Sequence, residues 1–383
     1  MRVLLISDVY FPRVNGVSTS IQTFRADLRA LGCESWLVAP AYPEPWNDDE
    51  KVLRQPSRYL LFDPEDRMMV GSAALSACRS LRGQFDLVHI QTPFVAHRVG
   101  VTIGKTMGLK TLETYHTFFE EYFHHYLPWL PRWPLQALAR AISCRQCNAV
   151  DAVIAPSKQM AGVLRDYGVR TPIEVIPTGL NLSEFTAGDG VRFRSVWGID
   201  PARPLMLLVG RVAHEKNIGF IIRILAEVRK SVCDVLLVIA GEGPALASAQ
   251  REVRRAGLSE HVLFVGYLDR RGPLLDCYRA ANVFVFASRT ETQGLVLLEA
   301  LALGVPVVST AVLGTKEVLE DARGAIVVDE DVEPFAEAVV HVLREPGRQR
   351  TLAKDAREYV ATRWSSAEVA RRLLSLYADL AQR

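Results

Sequence analysis

The chain has 383 residues, more than one ordinary hydrophobic core holds, so two domains are expected. Its 45 basic and 43 acidic residues leave a net charge of +2, which excludes a general pull toward nucleic acid and makes any charged partner a local matter. Six cysteines lie scattered in apolar segments, the run Leu4-Leu5-Ile6 is cut by Asp8 before it reads as a secretory leader, and no apolar run reaches the ~18–20 residues of a membrane span, so a reduced, cytoplasmic setting is expected.

Short apolar runs recur along the chain, separated by helical patterns: 2–7, 35–39, 86–91, 110–115, 151–155 and 173–176, then 204–209, 234–240, 261–266, 282–287, 305–309 and 325–328. Near-continuous apolarity, as in Val235-Leu-Leu-Val-Ile-Ala240, marks strands covered on both faces, hence parallel sheets with helices between them. The fold class expected is α/β, with two doubly wound halves. Residues 1–186 form the first, 199–362 the second, and the polar stretch Thr186 to Gly198 separates them. Ser365-Ser-Ala-Glu368 reads as a capping box opening a terminal helix over 363–383 with Val369, Leu373, Leu376 and Leu380 on one face. That helix is expected to return to the first domain. In open parallel sheets ligands bind beyond the carboxyl ends of the strands, so motifs at strand ends are expected to line an interdomain cleft. They are Asn15-Gly16-Val17 and Tyr115-His116-Thr117 in the first half, and Gly210-Arg211, Gly241-Glu-Gly243, Gly266-Tyr267 and Glu291 to Glu299 in the second.

The charges among these motifs suit a nucleotide diphosphate joined to a sugar. Gly210-Arg211-Val-Ala-His-Glu-Lys216-Asn supplies two cations after a strand, a planar fork and a point charge. Each charge-assisted contact is worth about 1.5–3 kcal/mol, and charge collects on the phosphate as the glycosidic bond breaks. Glu291-Thr-Gln293-Gly294-Leu295-Val296-Leu-Leu-Glu299 adds two carboxylates around a glycine. Glu299, in a helix opening near Gly294, suits the vicinal diol of a ribose, and Glu291, on the loop before it, suits the sugar.

Other motifs carry less. Gly100-Val-Thr-Ile-Gly104-Lys105-Thr106 is one residue short of a phosphate loop and reads as helix, and Gly241-Glu-Gly243 lacks the third glycine of a dinucleotide fingerprint. Cys144-Arg-Gln-Cys147 has no second ligand pair at zinc spacing and reads as two packing thiols. Asp329-Glu-Asp331 precedes Pro334 and a helical pattern, so it reads as a helix cap rather than a magnesium site. With Arg211 and Lys216 present, no metal and no other cofactor is required.

The order Gly-Arg-x4-Lys-Asn, then Glu-x7-Glu, then Gly-Val-Pro306-Val-Val resembles the retaining glycosyltransferases of family 4 from Met1 to about Trp364. That resemblance implies the GT-B fold of two facing Rossmann-like domains. It also implies that Arg211 and Lys216 hold the diphosphate, Glu299 the ribose, and Glu291 with the backbone of Gln293, Gly294, Leu295 and Val296 the donor sugar. His116 would face the sugar from the other domain, Gly16 would allow close approach to the phosphate, and the base would meet main chain near Tyr267. The alternatives for His116 and Tyr267 are plain packing. Tyr115-His-Thr-Phe-Phe-Glu-Glu-Tyr122 is similar to a segment of diacylglycerol glucosyltransferases, with Phe119 in place of that motif's tyrosine. Trp129, Arg132, Trp133, Arg140 and Arg145 accompany Leu135, Leu138 and Ile142 at helical spacing, which suits a helix lying in the lipid headgroup layer, against the alternative of an ordinary domain helix. The expected function is transfer of a hexose, glucose from UDP-glucose, to a lipid hydroxyl such as that of diacylglycerol, by a peripheral membrane enzyme. Transfer from GDP-mannose or another UDP-sugar into lipopolysaccharide or a soluble glycoside is the alternative, and a sugar-nucleotide epimerase is a rival from another class.

Overall fold

In the computed structural model, which describes residues 1–44, 46–60, 63–118, 132–270 and 272–382, the chain divides into two compact units. One comprises Met1–Gly179 with Ser366–Arg383, the other Leu180–Ser365. The first unit runs β1 (Arg2–Ile6), α1 (Gly16–Ala30), β2 (Glu34–Pro40), β3 (Val52–Gln55), β4 (Ser57–Leu60), β5 (Asp63–Met69), α2 (Gly71–Ser80), β6 (Leu87–Ile90), α3 (Val95–Met107), β7 (Lys110–Thr114), α4 (Arg132–Cys147), β8 (Ala152–Ala155), α5 (Lys158–Asp166) and β9 (Ile173–Val175). Its main sheet is parallel throughout, in the order β3-β2-β1-β6-β7-β8-β9. The antiparallel pair β4–β5 is an addition that the apolar runs did not foretell.

The second unit runs α6 (Gly190–Val196), β10 (Leu205–Val209), α7 (Ile218–Val228), β11 (Leu236–Ala240), α8 (Leu246–Arg255), β12 (Val262–Gly266), α9 (Pro273–Ala280), β13 (Val283–Phe286), α10 (Leu295–Ala302), β14 (Val307–Ser309), α11 (Gly314–Leu319), β15 (Ala325–Val327), α12 (Val332–Arg344) and α13 (Pro346–Arg363). Its strands are also all parallel, in the order β12-β11-β10-β13-β14-β15. The side-chain period of two splits each strand between two cores. In β10, Leu205, Leu207 and Val209 join one apolar cluster while Met206 and Leu208 join the other. In β1, Leu4 and Ile6 face one side, Val3 and Leu5 the opposite one. Both sheets are therefore sandwiched, and both units are Rossmann-like.

The units change over earlier than the polar stretch Thr186 to Gly198 suggested. Leu180, Phe185 and Phe193 are buried in the core of the second unit, and the stretch contains α6, whose cap Asp189 accepts from the amides of Val191 and Arg192. Polarity there marks the cap and outer face of a short helix. The glycines of the phosphate-loop look-alike serve packing: both lie in α3, where a Cβ on Gly100 would stand 2.4 Å from Ile90 and one on Gly104 2.3 Å from Thr111.

The last helix, α14 (Ser366–Ala381), belongs to the first unit. It buries Val369, Leu373 and Leu380, with Tyr377 in the central place and Leu376 only half-buried. The Tyr377 hydroxyl lies 2.6 Å from His89 Nδ1 in β6, and His89 Nε2 lies 2.6 Å from the Thr114 hydroxyl of β7. Burial first, and the His116 charge second, depress the pKa of His89 from 6.5 to about 3. Between those two values the unfolded chain binds the proton and the folded chain does not, so the stability this neutral ring brings is complete above pH 6.5 and lost as pH falls. Replacing His89 by Gln is expected to flatten the fall in unfolding free energy between pH 6 and 4.5 by about 1.4 kcal/mol per pH unit. Urea titrations across that range measure it, and an unchanged slope would refute it.

Candidate functional site

Winding reverses between β10 and β13 in the second sheet and between β1 and β6 in the first, and such switch points are where open parallel sheets leave room for a ligand. The loops after both β10 and β13 carry the residues singled out from the sequence. After β10 the chain turns at Gly210 (φ 145°) into Arg211, which is half-buried, and then into a 3-10 turn, His214–Lys216. Asn217, left-handed at φ 56°, opens α7 and donates to Glu330.

Neighbouring loops hold this one by backbone bonds, Val212 N to Glu242 O at 2.8 Å and Ala245 N to Val212 O at 2.9 Å. They are close enough that glycine is required on the β11 side. A Cβ on Gly241 (φ 140°) would stand 2.0 Å from Gly210 O, and one on Gly243 (φ 153°) 2.5 Å from Val212 O. The sequence order that failed as a dinucleotide fingerprint is thus a close backbone seam that fixes where Arg211 emerges.

After β13, Glu291 pairs with Lys216 in an ion pair in which both side chains are largely buried. Thr292, Gln293 and Gly294 follow. The N–H of Gly314, at the start of α11, donates to Glu291 O at 3.0 Å, and a Cβ there would stand 2.0 Å from Thr292 O. Gly294 is left-handed at φ 96° and precedes α10, whose first residues Leu295 and Val296 are half-buried. Glu299 lies one turn on and is 1% exposed. Arg270 Nη2 donates to its Oε1 at 2.6 Å and the Tyr278 hydroxyl to its Oε2 at 2.9 Å. Burial pulls the Arg270 pKa down, but the Glu299 carboxylate outweighs it and the net shift is upward. Burial and then Glu299 push Tyr278 well above 10. Tyr278 therefore remains a donor at neutral pH.

Neither Arg270 nor Tyr278 was recognised from the sequence. The 29 and 21 positions that separate them from Glu299 leave no local signal. Tyr267, in the loop after β12, is 52% exposed and its N–H meets Glu242 Oε1 at 3.4 Å. Asp331 caps α12 and Glu330 pairs with Arg289, so the acidic triplet works as cap and surface pair.

In the first unit, Asn15 caps α1 through a 2.9 Å bond from Ser18 N, and a Cβ on Gly16 would meet no described atom within 4 Å. Neither packing nor φ requires glycine there, so the position leaves space. Asp8 accepts from the Thr92 hydroxyl at 2.9 Å and from Ala96 N at the start of α3, tying the ends of β1 and β6 together. His116, just past β7, lies 3.1 Å from Gln91 Oε1, and burial lowers its pKa to about 4. Its ring is neutral at pH 7 and is held by a side chain. In α4 the structure corrects the expected lipid stripe. Leu135, Ala139, Ser143 and Cys147 face the unit's own interior, whereas Trp133 (75% exposed) and Leu138 (52%) point outward with Arg140 and Arg145. Arg140 lies over the Tyr167 ring at 5.7 Å. Tyr122 and Trp129 lie outside the described residues, and Arg132 is the first residue of α4.

The seam at Gly241 yields a test. Gly241→Ala forces a side chain against Gly210 O at a φ that side chains rarely adopt, which costs on the order of 1–3 kcal/mol and displaces Arg211. For the nucleotide-sugar that the sequence resemblance implies, a loss of at least about tenfold in kcat/KM is expected. Steady-state kinetics with a folded variant that stays within twofold of wild type would show that the seam does not set the site.

The chain matches the family described as Glycosyltransferase Family 4 over residues 14–184 and the family described as Glycosyl transferases group 1 over 192–359. It is 32% identical to the alpha-monoglucosyldiacylglycerol synthase of Streptococcus pneumoniae, over 81% of this chain and 71% of that protein. It is 27% identical to the protein of the same name from Acholeplasma laidlawii, over 99% and 97%. The fold is that of the sucrose-phosphate synthase of Thermosynechococcus elongatus, with a TM-score of 0.80 at 23% identity, covering 99% of this chain and 98% of that one. With two Rossmann-like units of the GT-B type, the chain belongs to the group 1, family 4 glycosyltransferases and is a nucleotide-sugar-dependent hexosyltransferase.

Proposed function

We propose that this hexosyltransferase moves glucose from UDP-glucose to the hydroxyl of a diacylglycerol-type lipid, with retention at the anomeric carbon and without a metal, at the cytoplasmic surface of a membrane. The observation that carries the reading is the ion pair of Lys216 with Glu291, which joins the segments following two adjacent strands, β10 and β13; the first of these segments also carries Arg211 and the second Glu299. Arg211 and Lys216 neutralise the diphosphate, Glu299 accepts from the ribose, and Glu291 with the backbone at Gln293, Gly294, Leu295 and Val296 orients the hexose. Main chain near Tyr267 receives the base. Lys216 and Glu291 now satisfy each other. With donor bound, the phosphate takes up Lys216 and a sugar hydroxyl takes up Glu291, so neither charge is left uncompensated.

In the transfer step the acceptor oxygen bonds to the anomeric carbon on the face from which the diphosphate departs. The bond to the diphosphate oxygen breaks, and the acceptor's proton passes to the leaving phosphate. Charge grows on that phosphate, and two fixed cations in a partly water-excluded site stabilise it. Replacing Lys216 by Ala is expected to lower kcat by about a hundredfold while EDTA leaves the wild-type rate unchanged. A loss below tenfold, or inactivation by EDTA, would refute the metal-free mechanism.

The lipid acceptor is supported by the named activity of the two relatives and by the outward face of α4, where Trp133 and Leu138 stand beside Arg140 and Arg145. No helix among the described residues is long and apolar enough to cross a membrane, so attachment would be peripheral, through such a face. Exchanging Trp133 and Arg140 for Ser should weaken sedimentation with anionic diacylglycerol vesicles at least about fivefold while sparing hydrolysis of the donor in detergent. Mass spectrometry of products from a panel of UDP- and GDP-hexoses identifies the sugar. Unaltered vesicle binding, or transfer only to water-soluble acceptors, would remove the lipid reading.

A further inference from the structure

Glu299 is a carboxylate shut away from solvent with two side-chain partners among the described residues, and those partners define what else it can accept. A carboxylate carries two lone-pair positions on each oxygen. Arg270 occupies one on Oε1, and Tyr278 occupies one on Oε2, which leaves one on each oxygen. Two adjacent acceptors of one group are what a vicinal diol, with two neighbouring O–H donors, can satisfy together. The two partners differ in kind. Tyr278 is fully buried, packed against Phe284 in the core, and sets the position of Oε2 as rigidly as the core itself. Arg270 comes from the loop between β12 and α9, is 26% exposed in its side chain, and brings the positive charge.

We propose that Arg270 is a positioning residue for nucleotide recognition: its guanidinium balances the charge of Glu299 and fixes the carboxylate plane so that one lone pair of each oxygen is presented to the two ribose hydroxyls. The inference rests on the assignment of Glu299 to the ribose. Without Arg270 the carboxylate loses its charged partner and is pinned at one oxygen only. It can then turn about its last torsion, which is broad and soft, and the pair of acceptors is no longer aimed. The consequence is specific. Recognition of the hydroxyls suffers, whereas contacts to the diphosphate and the base, made by other loops, remain.

Calorimetric titration separates these effects. The ligands are UDP and its 2′,3′-dideoxy analogue, or the guanosine pair should GDP bind more tightly. The proteins are wild type, Glu299→Ala, Arg270→Gln and Arg270→Lys, each checked for native folding by circular dichroism. Wild type is expected to favour the ribonucleotide by about tenfold or more, and Glu299→Ala to lose that preference. Arg270→Gln should lose most of it while binding the dideoxy analogue within about threefold of wild type, and Arg270→Lys, which keeps the charge but not the fork, should recover part. A wild-type protein without the preference, or a Glu299→Ala variant that keeps it, would overturn the ribose assignment and this inference with it. Should both behave as expected while Arg270→Gln retains the full preference, the positioning role alone falls. Equal weakening of both ligands in Arg270→Gln would likewise make the pair merely structural. If Arg270→Gln does not fold, Arg270→Lys decides: a preference undiminished after loss of the planar fork overturns the inference.

Discussion

Helices that connect parallel strands must lie on one face of the sheet or the other, and where the direction of winding changes, two consecutive connections leave on opposite faces and cannot close over the strand ends between them. In the second unit that place is β10 beside β13. The donor site proposed above is built around it. Arg211 and Lys216 arrive on the loop after one strand, Glu291 on the loop after its neighbour and Glu299 on the helix that this second loop opens, from segments about eighty residues apart in sequence. The glycine seam with the β11 loop then fixes the angle at which Arg211 leaves. The same reversal in the first unit, β1 beside β6, is stitched by Asp8, Thr92 and the amide of Ala96.

Charges placed at such a gap are partly withdrawn from water, and withdrawn charges are costly unless paired. The structure answers with two ion pairs of different permanence. Lys216 with Glu291 joins the two groups that, in the proposed function, the donor's phosphate and sugar would each claim, so that binding would substitute one set of partners for another with little net change in charge. Arg270 with Glu299 sits deeper, and Tyr278 caps the remaining oxygen. A polyol cannot replace a guanidinium electrically, so with ribose hydroxyls on Glu299, as proposed, that pair would persist while the hydroxyls add to it.

How much of this could be read in the sequence depended on how local each cause is. Strands buried on both faces announce themselves by continuous apolarity, and every run so identified contains a strand. The β3, β4 and β5 strands did not, because Val52–Gln55, Ser57–Leu60 and Asp63–Met69 mix charged and apolar residues at or beyond the sheet edge. The unit boundary was misplaced for a related reason: capping residues and exposed α6 positions look like linker, while the apolar residues that matter, Leu180, Phe185 and Phe193, are too sparse to show a period. Among the candidate site residues, Arg211, Lys216, Glu291 and Glu299 were legible because they sit at fixed short spacings in the segments that follow two apolar strands, β10 and β13. Arg270, Tyr278 and Gln91 act on a partner brought near only by the finished sheet, and nothing in their own neighbourhoods reveals it. The stripe on α4 shows the opposite error. Helical spacing was recognised, but the face that turns inward is set by small residues, Ala139, Ser143 and Cys147, which let the helix approach its core closely.

The route of the backbone between units adds a constraint that composition cannot convey. The chain enters the second unit at Leu180 and leaves it after Ser365, and these two points are joined: Leu180 N donates to Trp364 O at 2.7 Å and pairs in parallel with Ser365. Entry and exit are therefore adjacent, and the last helix is returned to the unit in which the chain began. There it contributes four large side chains to the core, Val369, Leu373, Tyr377 and Leu380, each worth about 1.5–3 kcal/mol when fully buried. It also supplies the hydroxyl that faces His89. Because His89 also bonds Thr114, two residues before His116, the terminal helix reaches through one buried ring to the strand end where the first unit presents its candidate site residue. The core of the first unit thus includes the helix Ser366–Ala381, and the geometry at the end of β7 depends on a helix some 250 residues away in sequence.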